Sequence, residues 1–122
     1  MNVKTDTKEK FTVIVPLEKE LPANMAGELK DLLKGYMGKS IPHLVLNLEN
    51  VGFMEEECGQ IICAVQQSFY EHMFSFVICS LQPAVEASLD GWGYLEMMNI
   101  TPTESEAWDI LQMEDIEREL LG

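Results

Sequence analysis

Short apolar runs recur along the chain, separated by longer stretches in which apolar residues return every three or four positions. Three of the runs are apolar on consecutive positions and rich in β-branched or aromatic residues, which is typical of strands buried on both faces. They occupy residues 11–16, 43–48 and 74–81. Residues 2–7 alternate weakly and are predicted to form a hairpin with the first run, and residues 97–101 are predicted to form a last short strand.

The stretches between the strands have helical periodicity. After Asn24, the predicted N-cap, apolar residues continue at helical spacing until Gly35 or Gly38 ends the helix. A second helix is predicted over residues 58–72. A third begins at Pro83, because the first turn of a helix tolerates a missing backbone N–H.

The last predicted helix covers about residues 104–121 and is strongly acidic, with seven acidic residues and one arginine. Thr103 and Glu106 match a capping box, in which side chains satisfy the free N–H groups at a helix start. The charged residues indicate a solvated face and, as a second interpretation, a partner surface. One apolar face is predicted to consist of Ala107, Trp108, Leu111, Ile116 and Leu120.

Strands that alternate with helices in this way predict an α/β fold. We expect one domain over residues 1–122, with a mixed, mostly parallel sheet of about four or five strands and about four helices. Sheets of this kind bind ligands and partners at the carboxyl ends of their strands. The junctions between strands and helices are therefore where a functional site is expected.

Charge and composition narrow the classes of partner. Eight basic against twenty-one acidic residues give a net charge of −13, which repels both nucleic acid and anionic membrane surfaces. No apolar run approaches the roughly 18 residues of a membrane span, and the N-terminus does not resemble a signal peptide, so a cytoplasmic location is expected. The three cysteines form no C-x-x-C pair, which argues against a disulfide framework or a zinc cluster.

The most unusual junction holds three consecutive carboxylates, Glu55, Glu56 and Glu57, followed by Cys58 and Gly59. Two of the carboxylates are candidates for an acid and base pair or for a divalent-cation site, but the sequence places no histidine or second acidic cluster nearby. Cys58 is a candidate nucleophile at a helix start, although the glutamates oppose thiolate formation and a buried structural cysteine is favoured. We therefore predict no enzyme activity, no cofactor and no metal.

The order of the elements, together with several short strings, resembles the STAS domain, the fold of bacterial anti-sigma factor antagonists. The similarity covers about residues 11–111. The family pattern L-V-L-D-L-S-x-V-x-F-M is matched by LVLNL at 44–48 with Val51 and FM at 53–54. Further matches are FVIC at 76–79 with PAV at 83–85, and TPT at 101–103 with EA at 106–107.

In typical STAS antagonists the matching junction reads D-S-S-G, and an anti-sigma kinase phosphorylates a hydroxyl residue there. The resemblance implies that the unphosphorylated form binds the kinase and that the added phosphate repels it. Without gaps, Glu57 occupies the phosphorylated position and Cys58 that of the glycine. A one-residue shift places Cys58 at the phosphorylated position instead. Neither register supplies a hydroxyl, and Asn47 replaces the family's strand aspartate.

These departures predict a non-catalytic protein-interaction domain that is not switched by Ser/Thr phosphorylation. The implied partner is a regulatory protein such as an anti-sigma factor or a Ser/Thr kinase-like protein. The predicted binding residues are Asn24, Glu55, Glu56, Glu57, Cys58 and Gly59. Two alternatives stay open: small-molecule or divalent-cation binding at the acidic junction, and a structural module that assembles with itself.

Overall fold

A computed structural model describes residues 1–121. Their strands are β1 Val3–Thr7, β2 Thr12–Pro16, β3 Glu20–Leu21, β4 Leu44–Asn47, β5 Phe53–Met54, β6 Phe76–Cys79 and β7 Ile100–Thr101. Five of them form one sheet in the order β1-β2-β4-β6-β7, and β3 pairs with β5 in a separate two-stranded sheet. The first pair, β1 and β2, is antiparallel, and the other pairs of the large sheet are parallel. This confirms the predicted hairpin and the mixed, mostly parallel sheet.

Residues 1–121 also form four α-helices: α1 Ala26–Lys34, α2 Glu56–Glu71, α3 Pro83–Gly91 and α4 Glu104–Leu121. Pro83 opens α3 as predicted, and α2 begins two residues earlier than the periodicity indicated. The prediction that Asn24 is an N-cap is wrong. Asn24 lies inside a single 3-10 turn, Ala23–Met25, and its side chain caps neither that turn nor α1. The backbone N–H of Met25 closes the turn by donating to Pro22 O at 2.9 Å, and Pro22 itself is extended.

Side chains of the central strands alternate between two apolar cores, one on each face of the sheet. On one face, Ile14, Leu46 and Ile78 belong to a core that contains the inner sides of α1, α2 and α3. On the other face, Val45 and Val77 belong to a smaller core with α4. The helices α1 to α3 and the helix α4 therefore cover opposite faces of the same sheet.

The packing of α4 corrects the predicted apolar face. Ala107 and Leu111 are buried against the sheet, but Ile116 and Leu120 are exposed. Ile116 follows Leu111 by five residues, which rotates it about 140° away from the buried face at roughly 100° per residue. Arg118 takes the inward position instead and donates a hydrogen bond from Nη2 to Ser75 Oγ at 2.7 Å.

The start of α4 carries a capping interaction, as predicted. The backbone N–H of Glu106 donates to Thr103 Oγ1 at 3.2 Å, which satisfies one of the free donors of the first turn. The Glu106 carboxylate accepts a hydrogen bond from the same hydroxyl at 3.1 Å. The glutamate thus binds the threonine side chain, whereas a capping box would have it bind the threonine backbone.

The two-stranded sheet, β3 with β5, is an element that the sequence did not predict, and it positions the acidic junction. Its strands pair in parallel, with Leu21 opposite Met54. Both of these side chains are buried.

Among residues 1–121, no helix has the length and apolar character needed to cross a membrane.

Candidate partner-binding site

The acidic junction is the point where β5 ends and α2 begins. The backbone N–H of Glu55 donates to Leu21 O at 2.9 Å, which continues the pairing of β3 with β5 by one residue. Glu55 itself is extended and precedes the first helical residue, and its carbonyl oxygen accepts the N–H of Cys58 at 3.1 Å. The backbone of the junction is therefore held from both sides, by a neighbouring strand and by the first turn of α2.

The three carboxylates differ in exposure. Glu55 is half-buried, whereas Glu56 and Glu57 are exposed in the first turn of α2. Glu56 accepts a hydrogen bond from the hydroxyl of Tyr94 at 3.2 Å. Negative charge near a helix N-terminus is stabilising by about 0.3–1 kcal/mol per group, which offsets part of the repulsion between neighbouring carboxylates. The junction thus presents two anionic side chains to solvent on a fixed backbone.

Cys58 lies inside the protein, directly beneath this surface. It has no exposed area, and its thiol donates a hydrogen bond to Pro22 O at 3.2 Å. Burial, and then the charges of Glu57 and Glu55, raise the pKa of the Cys58 thiol from 9.0 to about 11. A nucleophilic cysteine needs the thiolate form near neutral pH, and all of these influences oppose it. The predicted role of Cys58 as a buried structural residue fits this environment.

Gly59 brings two helices into close contact at the same site. A Cβ atom at this position would lie 3.1 Å from Leu89 Cδ2 and 3.1 Å from the Trp92 ring. Because no side chain intervenes, α2 can approach α3 closely. Trp92 follows the last residue of α3, and two residues later Tyr94 reaches Glu56.

Asn24 reaches the same region through its turn. Asn24 is exposed, and the 3-10 turn that contains it packs against α2. The turn follows Pro22, the residue whose carbonyl oxygen accepts the Cys58 thiol. The structure therefore brings the Asn24 turn to the end of α2 that carries the acidic junction, although Asn24 is not the helix cap that the sequence predicted.

Two residues beside the junction were not singled out from the sequence. Phe53 is 50% exposed although its neighbour in β5, Met54, is buried, so an aromatic ring borders the carboxylates. Tyr94 borders them on the other side through its bond to Glu56. A strand of two residues is too short for alternation to show which side chain faces outward, and the contact of Tyr94 with α2 spans 38 residues.

Asn47 stands at the carboxyl end of β4, where the family pattern has aspartate. It is 5% exposed, and its Oδ1 accepts the backbone N–H of Glu49 at 3.0 Å. Its Nδ2 donates to Glu104 Oε1 at 3.2 Å. An aspartate would keep the first bond and lose the second, because a carboxylate cannot donate to Glu104. The asparagine is therefore matched to the carboxylate at the start of α4.

The arrangement of the carboxylates bears on the cation alternative. Within residues 1–121, no three or more histidine, cysteine, aspartate or glutamate side chains converge so as to hold a metal ion. Consecutive residues in a first helical turn project in different directions, which is why three adjacent glutamates do not form a cage.

The family model described as "STAS domain" matches residues 2–107, most of the chain. The chain belongs to the STAS domain family. The resemblance noted in the sequence is thereby confirmed, as is the predicted α/β fold.

Solved structures similar to this STAS domain include bacterial anti-sigma factor antagonists. A Thermotoga maritima protein assigned as an anti-sigma factor antagonist is 20% identical with a TM-score of 0.80, over 90% of this chain and 94% of that one. A glutamate-for-serine variant of Moorella thermoacetica RsbS is 18% identical with a TM-score of 0.75, over 97% and 99%. Unphosphorylated SpoIIAA, a cell fate determinant of Bacillus, is 15% identical with a TM-score of 0.71, over 91% and 96%. These TM-scores establish a shared fold.

Proposed function

We propose that this STAS domain meets a regulatory protein at the surface around the start of α2, that the permanent charge of Glu57 weakens this contact, and that Ser/Thr phosphorylation does not switch it. The observation that carries the proposal is the exposure of Glu57 in the first turn of α2, directly before the buried Cys58. A permanent carboxylate thus faces solvent where the family resemblance implies a removable phosphate. Asn24, Glu55 and Glu56 complete the proposed surface, and the predicted binding residues Cys58 and Gly59 lie buried beneath it.

The burial of Cys58 supports the register in which Glu57 replaces the phosphorylated residue. A kinase must reach the hydroxyl it modifies, and a residue at position 58 points into the core and bonds to Pro22 O. A residue at position 57 is exposed. Gly59 then lies one residue beyond the family glycine, where it serves the contact between α2 and α3.

A glutamate repels a partner less strongly than a phosphate does, because its charge is smaller, but its charge is permanent. A carboxylate carries about −1 at neutral pH, whereas phosphoserine carries about −1.5 to −2. The Moorella thermoacetica RsbS variant carries a glutamate in place of a serine, so a protein of similar fold accommodates such an exchange. The proposed surface therefore imitates a phosphorylated antagonist, weakly and at all times.

The proposed partner is an anti-sigma factor or a Ser/Thr kinase-like protein, as the structural relatives named for anti-sigma antagonism suggest. Such a partner acts where ATP is available, so the proposal includes a cytoplasmic location. The domain would act by occupying or releasing its partner without chemistry of its own. No cofactor is needed for that role.

Isothermal titration against an anti-sigma kinase from the same organism tests the proposal. Glu57→Ser removes the charge that repels the kinase, so we expect this variant to bind more tightly than the unaltered chain. Its Kd should be lower by about tenfold or more, which corresponds to about 1.4 kcal/mol. Glu86→Ser is the matched control, because Glu86 is also an exposed glutamate in the first turn of a helix, α3. The Kd of Glu86→Ser should stay within about twofold of the value for the unaltered chain, a much smaller change than the one expected for Glu57→Ser.

Thermal unfolding of the same variants separates binding from stability. If Glu57→Ser lowers the Tm and leaves the Kd unchanged, the carboxylate only stabilises the start of the helix and the proposal fails. A changed Kd with a nearly constant Tm supports a partner-binding surface.

A further inference from the structure

Helix α4 has a second apolar face that the core does not use. Met113, Ile116 and Leu120 are 59%, 56% and 80% exposed, respectively. At roughly 100° per residue the three fall within an arc of about 60°, nearly opposite the buried face formed by Ala107 and Leu111. We refer to Met113, Ile116 and Leu120 as the outer stripe.

Acidic side chains surround the outer stripe. Glu106 and Asp109 extend its line toward the start of α4, and Glu117 and Glu119 flank it near the end. All four are exposed. The one basic residue of α4, Arg118, is directed inward to Ser75 Oγ and does not neutralise this face. The outer stripe is therefore an apolar line in a strongly negative field.

Large exposed apolar side chains in a row are typical of a binding surface, and the surrounding charge limits what can cover them. A second copy of this chain would bring two acidic faces together in a molecule whose net charge is −13. An anionic membrane surface is repelled in the same way. A partner helix with an apolar face flanked by lysine or arginine can pack against the outer stripe and pair its positive charges with the surrounding carboxylates.

We propose that the outer stripe of α4 docks a basic amphipathic helix of another protein. Spacings of three and four residues, from Met113 to Ile116 and from Ile116 to Leu120, match the periodicity of such a helix along its apolar face. This site lies on α4, on the face of the sheet opposite α2 and the acidic junction. The proposal does not depend on the proposed function, and both surfaces can be occupied together.

Fluorescence anisotropy with two synthetic peptides tests the proposal on the full chain. One fluorescein-labelled peptide carries leucines at the i, i+3 and i+7 positions with lysines elsewhere. The other has glutamate in place of every lysine. We expect saturable binding of the lysine peptide and no binding of the glutamate peptide.

Variants of exposed residues show whether the stripe itself is the binding site. Ile116→Gln and Leu120→Gln should each weaken binding of the lysine peptide by about tenfold or more. Met97→Gln is the matched control, since Met97 is 55% exposed but lies outside α4. It should leave the Kd within about twofold. Glu117→Gln and Glu119→Gln should weaken binding and reduce its salt dependence.

Three results would overturn the proposal. Equal binding of the two peptides would show that charge does not select the partner. An unchanged Kd for Ile116→Gln and Leu120→Gln would show that the lysine peptide binds by charge alone. Concentration-dependent self-association in sedimentation, abolished by Leu120→Gln, would identify a second copy of this chain as the occupant.

Discussion

The thiol of Cys58 donates to the carbonyl oxygen of Pro22 at 3.2 Å, across 36 residues of sequence. This bond ties the first turn of α2 to the segment that links β3 with the Asn24 turn. Because adjacent residues on a helix project about 100° apart, an inward Cys58 leaves Glu57 free to face solvent. The orientation of the acidic surface thus depends on Cys58, which is itself buried.

The raised pKa of Cys58 predicts a loss of stability at high pH. The folded state holds the thiol proton to about pH 11, whereas the unfolded chain releases it near pH 9.0. The contribution is complete below the unfolded pKa and is lost as the pH rises through the folded one. We expect the free energy of unfolding, measured in urea, to decrease between these pH values.

Substitution identifies the part of this decrease that Cys58 supplies. Cys58→Ala should have a shallower pH dependence than the unaltered chain over the same range. Cys63→Ala is the control, because burial alone raises the pKa of Cys63 and no carboxylate adds to it. Identical slopes for Cys58→Ala and the unaltered chain would contradict the assigned environment.

Gly59 should be intolerant of any side chain. Gly59→Ala places a Cβ atom 3.1 Å from both Leu89 Cδ2 and the Trp92 ring. Overpacking costs about 1–3 kcal/mol, and the better helix propensity of alanine offsets up to about 1 kcal/mol. With that offset, a net destabilisation of up to about 2 kcal/mol is expected in urea unfolding.

Gly27 provides the matched control for this substitution. It lies in α1, and a Cβ atom there would have no neighbour within 4 Å. Gly27→Ala should therefore stabilise the protein by about 0.5–1 kcal/mol. If both variants are stabilised equally, α2 and α3 are not in close contact at Gly59.

Asn47 should resist replacement by the aspartate of the family pattern. Asn47→Asp replaces the amide donor to Glu104 by a buried carboxylate beside it, which we expect to destabilise the protein by about 1–3 kcal/mol at pH 7. Repulsion raises the folded pKa of such a pair, so the loss should be smaller at pH 4 than at pH 7. The double variant with Glu104→Gln should recover stability. A loss that is the same at both pH values and persists in the double variant would point to packing instead.

Much of the fold follows from local patterns in the sequence. The buried strands show consecutive apolar residues, and Pro83 marks the start of α3, so the order of elements and the mixed sheet were predictable. The face of α4 was harder to assign, since Ile116 and Leu120 are apolar yet lie outside the core. A single apolar face cannot be read from a helix that has two.

The acidic junction was visible in the sequence, but its geometry was not. Three consecutive glutamates located the junction, and helical periodicity placed a helix after it. The pairing of Glu20–Leu21 with Phe53–Met54, the bond from Cys58 to Pro22 and the contact of Tyr94 with Glu56 all join distant segments. Contacts of this kind leave no periodic signal in the sequence.

Phosphate transfer to the start of α2 is the most direct test of a permanent charge at position 57. The purified chain, Glu57→Ser, Cys58→Ser and Glu86→Ser are each incubated with ATP and an anti-sigma kinase from the same organism, and phosphorylated residues are located by mass spectrometry. We expect no phosphate on the unaltered chain or Glu86→Ser, and phosphate on the introduced serine of Glu57→Ser alone. Phosphorylation of the unaltered chain, or of Cys58→Ser but not Glu57→Ser, would contradict a fixed carboxylate in place of the switch.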